Sequence, residues 1–195
     1  MDQMVQIVGR HGLIRPRDLD AHGIPRQYLN EMEKAGKVQR SGRGIYAASG
    51  RKPTEHHAIA EVCKRAPNAV VCLASALRMH GLTTQLPHEV WIAVDRKARK
   101  PRIDYPPLRV FWFSGEAMKR FVQTTNMEGV DVHVYSPAKT VADCFKYRNK
   151  IGLDVAIEAL RDCRRRKKAS VDELWAAAKV CRVGNVMRPY MEVIG

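Results

Sequence analysis

The chain has 195 residues, 45% of them hydrophobic and 28% charged, with 34 Lys and Arg against 20 Asp and Glu for a formal net charge of +14. That length and apolar content call for a real core in one large or two small domains, and the positive excess points to a polyanionic partner. No stretch approaches the roughly 18 apolar residues of a membrane helix. The opening M-D-Q-M-V-Q-I-V-G-R lacks the plan of a secretory signal, so no membrane association and a cytoplasmic location are expected.

In chain order, Met4, Val5, Ile7 and Val8 predict a helix over 2–10, broken at His11-Gly12. Pro16 starts a second short helix, P-R-D-L-D-A-H, stopped by Gly23. Pro25 starts a third, in which Leu29, Met32 and Ala35 keep one apolar face, flanked by Ile24 and Tyr28, until Gly36 ends it. Lys37–Arg40 and Ile45–Ala48 then read as two strands joined by S-G-R-G, a glycine-rich tight turn. Short helices across a glycine turn, followed at once by a hairpin with arginine at its tip, predict a winged helix-turn-helix. The expected organisation is a winged helix-turn-helix over 1–48, a linker at 49–54 (S-G-R-K-P-T) and a second domain over 55–195.

The second domain alternates helix and strand and then turns helical. Helices are expected at 55–65 and 75–80, and strands at 69–73, 89–94, 108–113 and 130–135. Four helices follow at 137–149, 153–167, 171–182 and 184–193. The fold class is thus α/β in the broad α+β sense, a winged helix followed by a larger mixed domain that ends in helices. Segment 1–53 carries 10 Lys/Arg against 5 Asp/Glu, and segment 54–195 carries 24 against 15, so positive charge is not confined to the first domain.

Arg, Gln and Asn are the side chains that read base edges in the major groove, and the first turn of a recognition helix makes such contacts. Arg26, Gln27 and Asn30 are therefore the base-reading candidates, with Tyr28 beside them. Arg40 and Arg43 at the wing and Arg17 before it are candidates for phosphate or minor-groove contact. Lys97, Arg99 and Lys100 belong to a loop, Arg96–Arg102, with five basic residues in seven, which suits either a solvated loop or an anion-binding surface. Arg164–Lys168 is a second basic run, equally suited to a helix C-terminus.

Catalytic chemistry finds little support, and neither catalytic residues nor a cofactor are expected. No nucleotidyltransferase G-S-x-x-D-x-D pattern and no Walker loop occurs. Asp95-Arg96-Lys97 at a strand end, with Glu89 and Glu61 upstream, is a short pattern of the kind that opens metal-dependent nucleases. The five cysteines are widely spaced without C-x-x-C, which predicts buried reduced thiols. His56-His57 near Cys63 is a weak metal cluster, because adjacent helical histidines diverge, and no metal is expected.

Several blocks resemble the AbiEi family, antitoxins and transcriptional regulators of type IV toxin–antitoxin systems linked to phage resistance. They are R-D-L-D-A-H-G-I-P (17–25), R-S-G-R-G-I-Y (40–46), C-L-A-S-A-L-R-M-H-G-L-T (72–83), P-H-E-V-W-I-A-V (87–94), the long run 136–160 beginning S-P-A-K-T-V-A-D-C-F, and M-R-P-Y-M-E (187–192). The resemblance implies a repressor that binds inverted repeats in its own promoter, as a monomer or weak dimer that is cooperative on DNA. It implies a C-terminal domain that counteracts an AbiEii-like nucleotidyltransferase toxin, without a stable complex being required, and no enzymatic activity. It places the helix-turn-helix and wing contacts on Arg17, Arg26, Arg40 and Arg43. It assigns no role to Lys139, Thr140, Asp143, Lys146, Tyr147 and Arg148, whose spacing gathers several on one helical face. The alternatives carried are an RNA- or tRNA-binding module that shields the toxin's substrate, and a metal-dependent nuclease on Asp95 and Lys97.

Overall fold

Leu13 and Ile14, both buried, form a two-residue strand β1 at the start of the described chain. The computed structural model describes residues 12–50 and 52–194, and the helix expected over 2–10 lies outside them. Two compact units emerge: the chain up to Pro67 together with Thr125–Val132, and Asn68–Thr124 together with His133 onward.

In the first unit, the single helix expected over Pro16–His22 is instead two 3-10 turns, Pro16–Asp18 and Asp20–His22. Each is too short for an α-helical turn to propagate. Arg15 holds the first, its backbone N–H and its Nε both donating to the Asp18 carboxylate, and Leu19 between the two turns is fully buried. Gly23 takes the left-handed conformation (φ 65°) that a side chain disfavours. Helix α1 follows at Gln27–Lys34, two residues later than Pro25 suggested. It buries Leu29 and Met32 against Ile14, Leu19, Val38 and Tyr46. Ala35, expected on that face, is exposed, because the helix has already closed there and Gly36 (φ 67°) turns the chain away.

Strands β2 (Val38–Gly42) and β3 (Ile45–Ala48) make the wing, and β1 pairs with β3, giving an antiparallel order β1-β3-β2. Helix α2 (His57–Arg65) packs into the same unit and buries Ile59, Ala60, Val62 and Cys63. The unit that holds the wing thus runs past the stretch 49–54, as far as Pro67.

The second unit opens with β4, Val70–Val71, shorter than the strand expected over 69–73 because α3 (Leu73–His80) begins at Leu73. Strand β5 (Val90–Asp95) is buried at five successive residues, as a central strand covered on both faces must be. It pairs in parallel with β6 (Leu108–Phe113) from Val90↔Leu108 to Asp95↔Phe113, and antiparallel with β4. A short helix α4 (Glu116–Lys119) and strand β7 (Val122–Met127) had no counterpart in the sequence expectations. Strand β8 (Val130–Tyr135) runs parallel to β4, and the mixed sheet has the order β6-β5-β4-β8-β7.

Helices α5 (Pro137–Lys146), α6 (Arg148–Ile151), α7 (Leu153–Arg165), α8 (Val171–Cys181) and α9 (Gly184–Ile194) complete the unit. The helix expected over 137–149 breaks at Tyr147 into α5 and α6. Pro137 at the first turn and the Ser136 hydroxyl, which accepts from the Lys139 N–H, start α5. A capping box between Ser170 and Glu173 starts α8. The core joins β5 and β6 to α5, α7 and α8 through Phe111, Phe113, Phe145, Leu160 and Leu174.

Candidate nucleic-acid interface

Helix α1 turns Leu29 and Met32 inward, so the periodicity forces Gln27, Asn30, Glu31, Glu33 and Lys34 outward, and all are exposed. Tyr28 is 40% exposed at the edge of that face. Arg26 sits one residue before the helix, at its N-cap, also exposed. Its guanidinium is already engaged: Nε donates to Asp20 Oδ1 at 3.0 Å and Nη2 to Asp20 Oδ2 at 2.5 Å. This pairing, which the sequence reading missed, spans the left-handed turn at Gly23. The Arg26 hydrogen bonds hold the Asp20 carboxyl below its ordinary range. Arg17 is exposed on the first 3-10 turn.

The wing tip is built on two different glycine requirements. Gly44 has φ 69°, with open space where a Cβ would lie. Gly42 faces inward instead: a Cβ there would lie 2.0 Å from Glu61 Oε1 and 2.6 Å from Arg65 Nη2. Arg40 and Arg43 are exposed beside these glycines. Below them Glu61 is buried and accepts from Arg65 Nη2 at 2.6 Å. Burial raises the Glu61 carboxyl pKa against the opposing charges of Arg65 and His57.

A polar chain anchors the wing from behind. Ser41 Oγ lies 2.8 Å from His57 Nε2, and His57 Nδ1 lies 2.7 Å from Glu128 Oε2. With Nδ1 donating to the carboxylate, Nε2 accepts from the Ser41 hydroxyl. The other Glu128 oxygen accepts from the Thr54 N–H and hydroxyl at 2.9 and 2.7 Å. Burial raises the Glu128 pKa, but the hydrogen bonds from Thr54 and His57 outweigh it and hold the carboxyl below its ordinary value. His57, noticed in the sequence for metal binding, is thus a structural bridge. Among the described residues no three His, Cys, Asp or Glu side chains are grouped to hold a metal.

In the second unit Lys97, Arg99 and Lys100 are exposed. The start of their loop is tied down: Asp95 Oδ1 accepts from the Lys97 N–H at 2.9 Å, the Arg96 N–H donates to the Phe113 carbonyl at 2.7 Å, and Trp112 Nε1 donates to the Ala98 carbonyl at 3.3 Å. The other basic run is partly structural, since Arg165 and Arg166 pair with Asp162 and Arg166 also donates to the Gly81 carbonyl. The carboxylates of the nuclease pattern are divided: Glu61 is buried in the first unit, and Asp95 belongs to the second.

The cluster on α5 resolves into separate parts. Lys139 and Asp143 are 0% and 1% exposed, and Lys139 Nζ meets the two Asp143 oxygens at 2.7 and 2.6 Å. Cys181 Sγ donates to Asp143 Oδ1, and Lys139 Nζ lies 4.0 Å from the Tyr135 ring centroid and 4.8 Å from that of Phe113. Desolvation raises the Asp143 pKa in spite of Lys139. Thr140 is buried and donates to the Tyr135 carbonyl, whereas Lys146 is exposed. Sealed from solvent, the pair organises the core and offers nothing to a substrate. The five cysteines are buried and free.

A helix presented after a left-handed turn and followed by a two-stranded wing defines a winged helix-turn-helix module. Residues 2–49 match the family model described as a transcriptional regulator, AbiEi antitoxin. The resemblance read from the motifs therefore holds at the N-terminus, and it points to a regulator or antitoxin of a toxin–antitoxin system, with DNA and a toxin as partners in general. The crystal structure of the RV2827C protein from Mycobacterium tuberculosis shares the fold at TM-score 0.59 and 13% identity, covering 99% of this chain and 79% of that one. No curated protein matches the chain. Among the described residues no helix is long and apolar enough to cross a membrane.

Proposed function

We propose that this chain is a DNA-binding antitoxin that represses its own operon through inverted repeats, and that residues beyond the winged helix counteract a nucleotidyltransferase-like toxin. The observation that carries the DNA half is the shared exposure of Arg26, Gln27 and Asn30 beside a wing bearing Arg40 and Arg43. Base edges are read by the first group, while Arg17, Arg40 and Arg43 supply phosphate contacts that set affinity without sequence choice. Lys97, Arg99 and Lys100 add a second positive surface to the polyanion. Two copies on an inverted repeat bind cooperatively.

The test is fluorescence anisotropy with the operon's own promoter duplex and a scrambled duplex of equal length. Preference for the promoter, lost in Gln27→Ala/Asn30→Ala, supports the reading; equal affinity for both duplexes sinks it. Co-expression of the toxin with full-length protein and with the same variant tests the second half. Rescue of growth by the DNA-binding variant separates antagonism from repression.

A further inference from the structure

Within the second unit α4, α5 and α8 enclose an open groove of about 620 Å³ beside the edge of β6. Four cations line it: Arg120, Lys146, Lys179 and Arg182, all exposed, against one acid, Glu116. None of the four forms an ion pair with another described residue. Elsewhere in the unit cations such as Lys139, Arg165 and Arg166 are paired. Four like charges facing one concavity repel one another, so an anion entering it gains from all of them at once.

The apolar wall is aromatic. Trp112 stands 47% exposed at the rim, its indole oriented by the Ala98 carbonyl. The floor is Phe113 stacked parallel on Tyr147, centroids 5.6 Å apart, and Phe113 stacks in turn on Tyr135, over the buried Lys139. The floor is therefore rigid, and α5 carries Lys146 one turn beyond the anchored Asp143.

An indole beside a cluster of unpaired cations matches a ligand with one flat ring and several adjacent phosphates. We infer that this groove binds a nucleoside triphosphate, the base against Trp112 and the phosphates among Arg120, Lys146, Lys179 and Arg182. The volume is in the range of small-molecule sites. A single nucleotide fits better than a strand, because strand-binding grooves offer a succession of exposed rings, whereas the one well-exposed ring of this groove is Trp112. No reaction is implied: Glu116 is the lone carboxylate in the lining, too few to hold a catalytic metal pair.

Calorimetric titration of the full chain with ATP, GTP, CTP and UTP, and with inorganic triphosphate and adenosine, tests this. Saturable 1:1 binding of at least one nucleotide is expected, tighter than either fragment, with quenching of tryptophan emission that disappears in Trp112→Phe. Lys146→Gln/Lys179→Gln, both surface changes, is expected to weaken binding by about tenfold or more through lost charge-assisted contacts, with an unaltered thermal melt. No binding at millimolar nucleotide, or binding indifferent to both variants, overturns the inference. So does an oligothymidylate that binds through the same residues more tightly than any mononucleotide, which would make the groove a strand site. Promoter affinity in the Lys146→Gln/Lys179→Gln variant is expected to stay unchanged. A parallel loss there would assign these lysines to the duplex surface and overturn the nucleotide site, while leaving the winged-helix reading intact.

Discussion

Asp20 grips Arg26 through both of its oxygens, Nε–Oδ1 at 3.0 Å and Nη2–Oδ2 at 2.5 Å, across the turn that leads into α1. The arginine at the head of α1 is thus paired in the free protein, and in the base-reading role proposed above it would trade that carboxylate for guanine acceptors on DNA. Its bidentate fork suits either partner. Asp20→Ala is expected to tighten binding to promoter and scrambled duplex alike, since it removes one negative charge from the interface. Arg26→Ala is expected to reduce discrimination between the two by about tenfold. Anisotropy titrations at two salt concentrations check both. Weaker promoter binding by Asp20→Ala would instead make the carboxylate a positioning group.

The wing answers to two measurements. Arg43→Ala is expected to lower affinity for every duplex and to shallow the salt dependence by about one counterion. Gly42→Ala is expected to do the same indirectly, because its methyl group displaces the Glu61 carboxylate from beneath the strand. The second variant should also lower the melting temperature, as a disturbed buried ion pair must.

The winged helix was legible because its signals are local. Pro16, Gly23 and Gly36 mark turns, Leu29 and Met32 keep a helical spacing, and S-G-R-G sits between two short strands. Strand β7 was not, because V-Q-T-T-N-M lies at the exposed edge of the sheet and shows no alternation of apolar and polar residues. The anchor of the wing was equally hidden, since Glu128 lies 71 positions from His57 and 74 from Thr54, and no local pattern announces a contact at that separation. Lys139 and Asp143 were visible as an i,i+4 pair, but their burial depends on Tyr135, Phe113 and Cys181 arriving from other elements. The same separation hid the cationic groove, whose lining comes from three stretches of chain, 112–120, 146–147 and 176–182.

Asp18 makes the first unit sensitive to acid. It accepts from Arg15 Nε at 3.2 Å and pairs with Lys64 Nζ at 2.8 Å, joining the first 3-10 turn to α2. Burial alone would raise its pKa, yet the hydrogen bonds from Arg15 and Lys64 prevail and lower it from 3.8 to about 2. A carboxyl depressed on folding stabilises fully above its unfolded pKa, and that contribution is lost as pH falls through the folded value. Stability should therefore decline between about pH 4 and pH 2, and Asp18→Asn should flatten that part of the profile while lowering stability at neutral pH. Urea melts at stepped pH, followed by circular dichroism, decide it. An unchanged acid slope in the variant would remove Asp18 from the explanation.

Lys139 and Asp143 set the stability of the second unit through an asymmetry. Two charges taken out of water recover their desolvation only through each other, so the intact pair contributes little relative to a well-packed apolar substitute. Removing one partner strands the other in a site that excludes solvent. Asp143→Ala is accordingly expected to cost about 3–5 kcal/mol, because Lys139 Nζ would keep only the faces of Tyr135 and Phe113. Lys139→Met/Asp143→Leu, which removes both charges and fills the volume, should recover most of that loss. Chemical denaturation of the three proteins measures the difference. If the double variant were as unstable as Asp143→Ala, the pair would be holding α5 through its geometry, and groove residues Lys146 and Tyr147 at the end of that helix would shift with it.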